Sequence, residues 1–269
     1  MIIWLSSYPK SGNTWLRILL TNYLFFDNKL FSNLNHIREY PKKYFFKNLF
    51  KETDTGLQAL DLYKYSILSQ DRLNLNNEVN FLKTHSCCGT INNNKFTNKE
   101  NTLGFIYIVR DPRSIAVSYA HHRNISYEKS AEIITDENNV VIDKDKVLTL
   151  MSSWKTNYLS WLKSPYPRII IKYEDLHKNT FVNFKKILFF MNKFMKMEIN
   201  ENKIYKNIEK CSFSNLKHEE ENFGFSEKVG NDSFFRKGLV DEWKSELSSN
   251  SIKLIEEKFK REMIELEYL

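Results

Sequence analysis

Four short apolar runs punctuate the chain: Ile2–Leu5, Val79–Lys83, Gly104–Val109 and Arg168–Lys172. Each is rich in β-branched or aromatic residues and bounded by turn formers, which predicts strands. Between them, apolar positions recur every three or four residues. Asn13–Phe26 carries Leu16, Leu19, Leu20, Tyr23 and Leu24 on one helical face, and Met151–Lys163 carries Trp154, Tyr158, Leu159 and Leu162. Asp111-Pro112 is an N-cap followed by proline at the first helical position, and opens a helix to about His121. Helices are also predicted over Phe181–Met197 and Ser251–Leu266, with shorter helical turns at Lys203–Glu209 and Phe213–Glu220. Strands alternating with helices predict βαβ units and a parallel sheet. Leu30–Asn77 and Arg123–Lys146 fit neither period and read as insertions of the kind that form lids and pockets. No repeat or linker interrupts the pattern, so a single domain over residues 1–269 is expected.

Composition narrows the class. With 42% hydrophobic and 14% aromatic residues, a chain of 269 fills one large core, which excludes disorder and low-complexity sequence. The 40 basic residues exceed the 33 acidic ones, and the net charge of +7 favours an anionic ligand. Lys and Arg are spread along the chain, so no nucleic-acid partner is expected. Ile2–Leu5 is too short for a signal-peptide core, and no stretch approaches the roughly 18 apolar residues of a bilayer span. Three cysteines, with Cys87 and Cys88 adjacent, make a poor disulfide framework, and a cytoplasmic location is expected.

Common nucleotide and metal signatures are missing. A Walker A loop needs glycines where Trp4 and Pro9 stand relative to Lys10. The six histidines are scattered apart from His121-His122, so no metal site is expected. Four polar elements remain. Lys10-Ser11-Gly12-Asn13-Thr14 lies between the first strand and the first helix. A helix N-terminus presents free N–H groups and a positive dipole end to a phosphate or sulfate. Gly12 permits close backbone approach, Lys10 adds charge, and Ser11 and Thr14 add hydroxyls. Arg110 ends the third strand, where open α/β sheets bind ligands, and Ser114 and Ser118 lie along the helix that follows. His85 follows Lys83-Thr84 at the end of the second strand, a position suited to general-base work. Phe235-Arg236-Lys237-Gly238 offers two cations and a glycine to another phosphate. Taken singly, these four also read as a βα turn, a capped helix, a structural histidine and a solvated basic turn.

Taken together and in order, the four elements resemble those of the PAPS-dependent sulfotransferases of the cytosolic type. Tyr8–Trp15 is similar to that family's 5′-phosphosulfate loop, and Val109–Tyr119 to its 3′-phosphate motif. Arg236–Lys244 resembles its C-terminal clamp, and Lys83-Thr84-His85 matches its catalytic histidine. The resemblance implies a three-layer, P-loop-like α/β fold with a central parallel sheet flanked by helices. It implies transfer of a sulfuryl group from PAPS to an acceptor hydroxyl or amine, releasing PAP, with no metal. His85 is then the base, and Lys10 and Lys83 stabilise charge on the leaving side. Ser11, Gly12, Asn13 and Thr14 cradle the 5′-phosphate, and Trp15 borders the adenine. Arg110, Ser118, Arg236, Lys237 and Gly238 hold the 3′-phosphate, while Tyr173 and Phe213 contact the base.

Asn13 replaces the first threonine of the family's usual pair. Cys211 stands where a threonine commonly touches the nucleotide, and Phe235 replaces a frequent methionine beside the clamp. Asp241 and Glu242 replace a usual Gly-Asp, which adds a negative charge there. The family's dimerisation motif is not recognisable after Lys244, and the oligomeric state is left open. The competing readings are a P-loop nucleotide or small-molecule kinase and a non-catalytic PAP-binding protein. The acceptor is a small molecule, lipid or glycan chosen by the two insertions. Phe31, Tyr40, Tyr44, Phe45 and Phe46 favour a hydrophobic or glycolipid-type hydroxyl, while Arg38, Lys42, Lys43 and Lys47 suit an acidic glycan.

Overall fold

The computed structural model describes residues 1–25, 30–47, 49, 58–228 and 233–269. Its strands are β1 (Ile2–Ser7), β2 (Arg38–Glu39), β3 (Asn80–Thr84), β4 (Thr90–Ile91), β5 (Asn94–Lys95), β6 (Thr102–Val109), β7 (Val140–Ile142), β8 (Leu148–Leu150) and β9 (Arg168–Lys172). Five of them form one sheet in the order β2-β3-β1-β6-β9, every pair parallel. β1 lies at the centre with all six residues buried. Because side chains alternate along a strand, Ile2 and Trp4 enter the core on one face, and Ile3 and Leu5 enter the core on the other. Helices cover both faces, so the molecule has three layers, as expected for the α/β class.

All four predicted strands are present. Helix α1 (Asn13–Phe25) follows the predicted bounds within the described residues, and it is buried nearly all round. The reason is a second helix, Glu201–Lys210, packed outside it, whose Asn207 donates to the Leu19 carbonyl at 2.9 Å. Asp111 caps Pro112–Arg123 by accepting from the Arg113 N–H at 2.8 Å.

Three expectations need correction. The helix predicted over Phe181–Met197 runs Thr180–Met191, because the Asn192 side chain accepts from the Met197 N–H and turns the chain back. The helix predicted from Met151 begins at Trp154, where Ser153 supplies the cap. The two insertions are not irregular throughout. Arg123–Lys146 holds the Ser126-capped helix Tyr127–Thr135 and β7. Leu30–Asn77 contributes β2 and the helices Ala59–Tyr63 and Ser66–Leu73, and residues 48 and 50–57 of it lie outside the described residues.

Strand register positions the chemistry. Leu5 pairs with Lys83, Ser7 with Ile108, and Glu39 with Lys83. The C-terminal ends of β2, β3, β1 and β6 therefore open side by side on one edge of the sheet.

Candidate active site

That edge forms a cleft of about 540 Å³. Lys10, Gly12, Asn13, Thr14, Trp15, Lys83, His85, Arg110, Ser118, Tyr173, Phe213, Phe235, Arg236, Lys237 and Gly238 all line it. Residues far apart in sequence thus meet around one volume.

The loop after β1 is shaped by its backbone. Lys10 has φ +66° and Gly12 φ +94°, both in the left-handed region. A Cβ on Gly12 would lie 2.4 Å from the Tyr173 ring, so only glycine fits there. Asn13 anchors the loop from below, its Nδ2 donating to the Leu5 carbonyl and to Ser7 Oγ, each at 3.1 Å. Its amide nitrogen is thereby spent inside the protein. Ser11 does not line the cleft. Its Oγ is buried with no hydrogen-bond partner among the described residues.

Arg110 ties this loop to the C-terminal clamp. Its guanidinium donates to the Lys10 carbonyl at 2.9 Å and the Leu239 carbonyl at 3.1 Å, and it lies 4.4 Å from the Tyr173 ring centroid. Its Nε is buried and unpartnered among the described residues. Lys10 Nζ sits 4.3 Å from the centroid of Phe234. Burial, followed by Arg110, Lys83 and Arg236, pushes the Lys10 ammonium down to about 8.

His85 is held from β1. Its Nδ1 lies 2.9 Å from the Ser7 carbonyl, which can only accept, so Nδ1 carries the proton and Nε2 keeps a free lone pair. Asn157 donates to the His85 carbonyl at 2.9 Å. Burial, then the charge on Lys83, lowers the His85 imidazole to about 4, with Glu39 opposing. A neutral imidazole with an unprotonated Nε2 is a competent proton acceptor.

Sequence reasoning missed the carboxylates Glu39 and Glu227. Lys83 is buried between Glu39 at 3.5 Å and Glu227 at 3.7 Å, and Glu227 also pairs with Arg17 at 2.5 Å. Burial raises the Glu39 carboxyl, but Lys83, His85 and Lys42 outweigh it and hold the group near 2. The one signal was Arg17, the only charged residue of α1 and a buried one. Glu242 pairs with both Arg236 and Lys237.

Besides that of Ser11, two expected contacts do not hold. Cys211 is fully buried outside the cleft, with Sγ toward Asn207 Oδ1 at 3.8 Å, and only its carbonyl reaches the site's wall by accepting from Trp15 Nε1 at 3.1 Å. Phe31, Tyr40, Tyr44, Phe45 and Phe46 of the first insertion do not line the cleft either. Tyr40, Phe45 and Phe46 belong to the core with Trp4 and Phe96, Phe31 stacks on Phe235 at 5.9 Å, and Tyr44 is exposed. The insertions instead contribute Glu39, Lys42, Arg123, Val141 and Asp143.

The cleft at the open edge of a parallel sheet thus gathers Lys10, Lys83, Arg110, Arg236 and Lys237 from distant parts of the chain. The profile of the sulfotransferase domain family matches residues 2–267. Cytosolic sulfotransferase 10 of Arabidopsis thaliana is 27% identical over 272 residues, covering 95% of this chain and 77% of its own. A mouse sulfotransferase complexed with PAP shares the fold at TM-score 0.61 and 20% identity, covering 97% of this chain and 83% of that one. Retinol dehydratase, complexed with androsterone and PAP, shares it at TM-score 0.65 and 17% identity, covering 97% and 80%. The chain belongs to the sulfotransferase domain family. It is an enzyme that takes the sulfuryl group from PAPS and releases PAP, which sets the kinase reading aside. Among the described residues, no helix is long and apolar enough to cross a membrane.

Proposed function

We propose that the enzyme sulfates a hydroxyl or amine of a small polar acceptor, with His85 as the base. The observation that carries this reading is the placement of His85, its Nδ1 2.9 Å from the Ser7 carbonyl, in the same cleft as Lys10 and Lys83. In this scheme the acceptor gives its proton to His85 Nε2 as its oxygen or nitrogen bonds to sulfur. The bond from sulfur to the bridging phosphate oxygen breaks, and PAP leaves with the electron pair. Lys10 opposes the charge that develops on that oxygen. The first helical N–H groups of α1, together with Thr14, receive the 5′-phosphate. Arg110, Ser118, Arg236, Lys237 and Gly238 receive the 3′-phosphate, with Trp15, Tyr173 and Phe213 around the base. The buried, unpartnered Nε of Arg110, a residue that lines the cleft, suits a ligand rich in acceptor oxygens.

A polar acceptor follows from the walls around His85. Retinol dehydratase holds androsterone in its crystal structure. Here Glu39, Lys42 and Asp143 stand on the acceptor side, with Lys42 4.0 Å from each carboxylate. A sterol-like body would strip water from these charges and return nothing, whereas hydroxyl or amine groups can pair with them. The test is isotope-labelled PAPS incubated with fractionated metabolites and lipids of the source cell. Label on a small polar hydroxyl or amine compound is expected. Label only on a hydrophobic alcohol, or only on a polysaccharide, would overturn the acceptor assignment.

A further inference from the structure

Arg236 and Lys237 are not free cations awaiting an anion. Both terminal guanidinium nitrogens of Arg236 donate to the Glu242 carboxylate, with Nη1 at 2.7 Å from Oε1. Lys237 Nζ lies 2.7 Å from the same oxygen. The Glu242 side chain is only 10% exposed and itself lines the cleft. A planar guanidinium fork on a carboxylate, with an ammonium beside it, reproduces the contacts those two cations make with a phosphate.

We propose that Glu242 is an internal stand-in for the 3′-phosphate, exchanged for it when nucleotide binds and returning when PAP leaves. The proposal rests on the reading above that Arg236 and Lys237 receive the 3′-phosphate. Two anions cannot share one fork, so the incoming phosphate displaces the carboxylate or forfeits Arg236. The neighbourhood accommodates the exchange. Lys237 keeps a second carboxylate, Glu246, at 3.6 Å, and Glu242 sits on a short helical turn where the Ser245 N–H bonds to its carbonyl. The carboxylate can therefore swing away while its backbone stays fixed. Its hydrogen bonds to Arg236 and Lys237 hold it ionised against its burial. Between turnovers it keeps both cations paired and aligned. During turnover it makes the 3′-phosphate pay an exchange cost, which weakens PAP and speeds its release.

The experiment is calorimetry of wild type and Glu242→Gln with two ligands, PAP and adenosine 5′-phosphate, which lacks the 3′-phosphate. The amide keeps the shape but cannot hold two cations as an anion does. Glu242→Gln is expected to bind PAP roughly tenfold more tightly, the scale of a lost charge-assisted pair, and to release it more slowly in stopped flow. Binding of adenosine 5′-phosphate should not change, which also reports that the variant is folded. Glu242→Asp, too short to reach both cations, should tighten PAP to a lesser degree. Unchanged or weaker PAP binding in Glu242→Gln, with adenosine 5′-phosphate unaffected, would show Glu242 to be a fixed brace and overturn the exchange. If wild type binds PAP no more tightly than adenosine 5′-phosphate, the 3′-phosphate assignment itself fails, and the exchange fails with it.

Discussion

Replacing His85 by alanine is expected to cut turnover by ~10²–10⁴-fold while leaving PAP affinity unchanged, the usual yield of a positioned proton acceptor. In the proposed scheme His85 serves the acceptor and not the phosphates, and its ring is held by the Ser7 carbonyl. Steady-state rates with a cognate acceptor, beside calorimetry with PAP, separate the two effects. Wild-type rates in the variant would make His85 a structural residue. The same geometry predicts the pH profile. With His85 lowered to about 4 and Lys10 to about 8, kcat/KM should be bell-shaped, with limbs near those values. The acid limb reports protonation of the base, and the alkaline limb reports loss of the Lys10 charge. Stability follows the sign of the histidine shift. The folded value lies below the 6.5 of a free imidazole, so the unfolded chain binds the extra proton first. Stability due to His85 is therefore full above 6.5 and declines as pH falls toward 4.

Arg110→Ala should be the most damaging change to nucleotide binding. One guanidinium bridges the Lys10 carbonyl of the first motif and the Leu239 carbonyl of the clamp while facing Tyr173. Under the proposed reading its removal takes away a cation at the 3′-phosphate, and it also removes the brace on the Lys10 turn. Each charge-assisted hydrogen bond is worth roughly 1.5–3 kcal/mol, so PAP should weaken by about 10²-fold. Adenosine 5′-phosphate should weaken less, through the relaxed loop alone. Arg110→Lys should rescue poorly, because a point charge cannot span two carbonyls. An unchanged PAP affinity would remove Arg110 from the site.

How much of this was legible beforehand differs by element. β1, β3, β6 and β9 announced themselves because strands covered on both faces are continuously apolar. Lys10, His85 and Arg110 were legible because a charged residue just past such a strand lands on the sheet's open edge. The carboxylates were not. Glu39 belongs to a two-residue edge strand, and only its pairing with β3 sets it beside Lys83. Glu227 reaches Lys83 and Arg17 from a loop with no periodicity to assign it a face. Cys211 shows the opposite failure, since alignment with a motif fixes a backbone position but not the direction of a side chain. The rings of residues 31–46 failed similarly. In a segment without a period, nothing distinguishes a pocket wall from a local core, and Tyr40, Phe45 and Phe46 fill the core around Trp4.

The central claim is that one cleft receives a nucleotide through two cation sets with no metal to bridge them. Calorimetry of the wild-type protein with PAP and with ATP, each with and without EDTA, tests it most directly. The account predicts nanomolar-to-micromolar binding of PAP that EDTA does not alter, and weaker binding of ATP. A preference for ATP, or loss of PAP binding in EDTA, would contradict it.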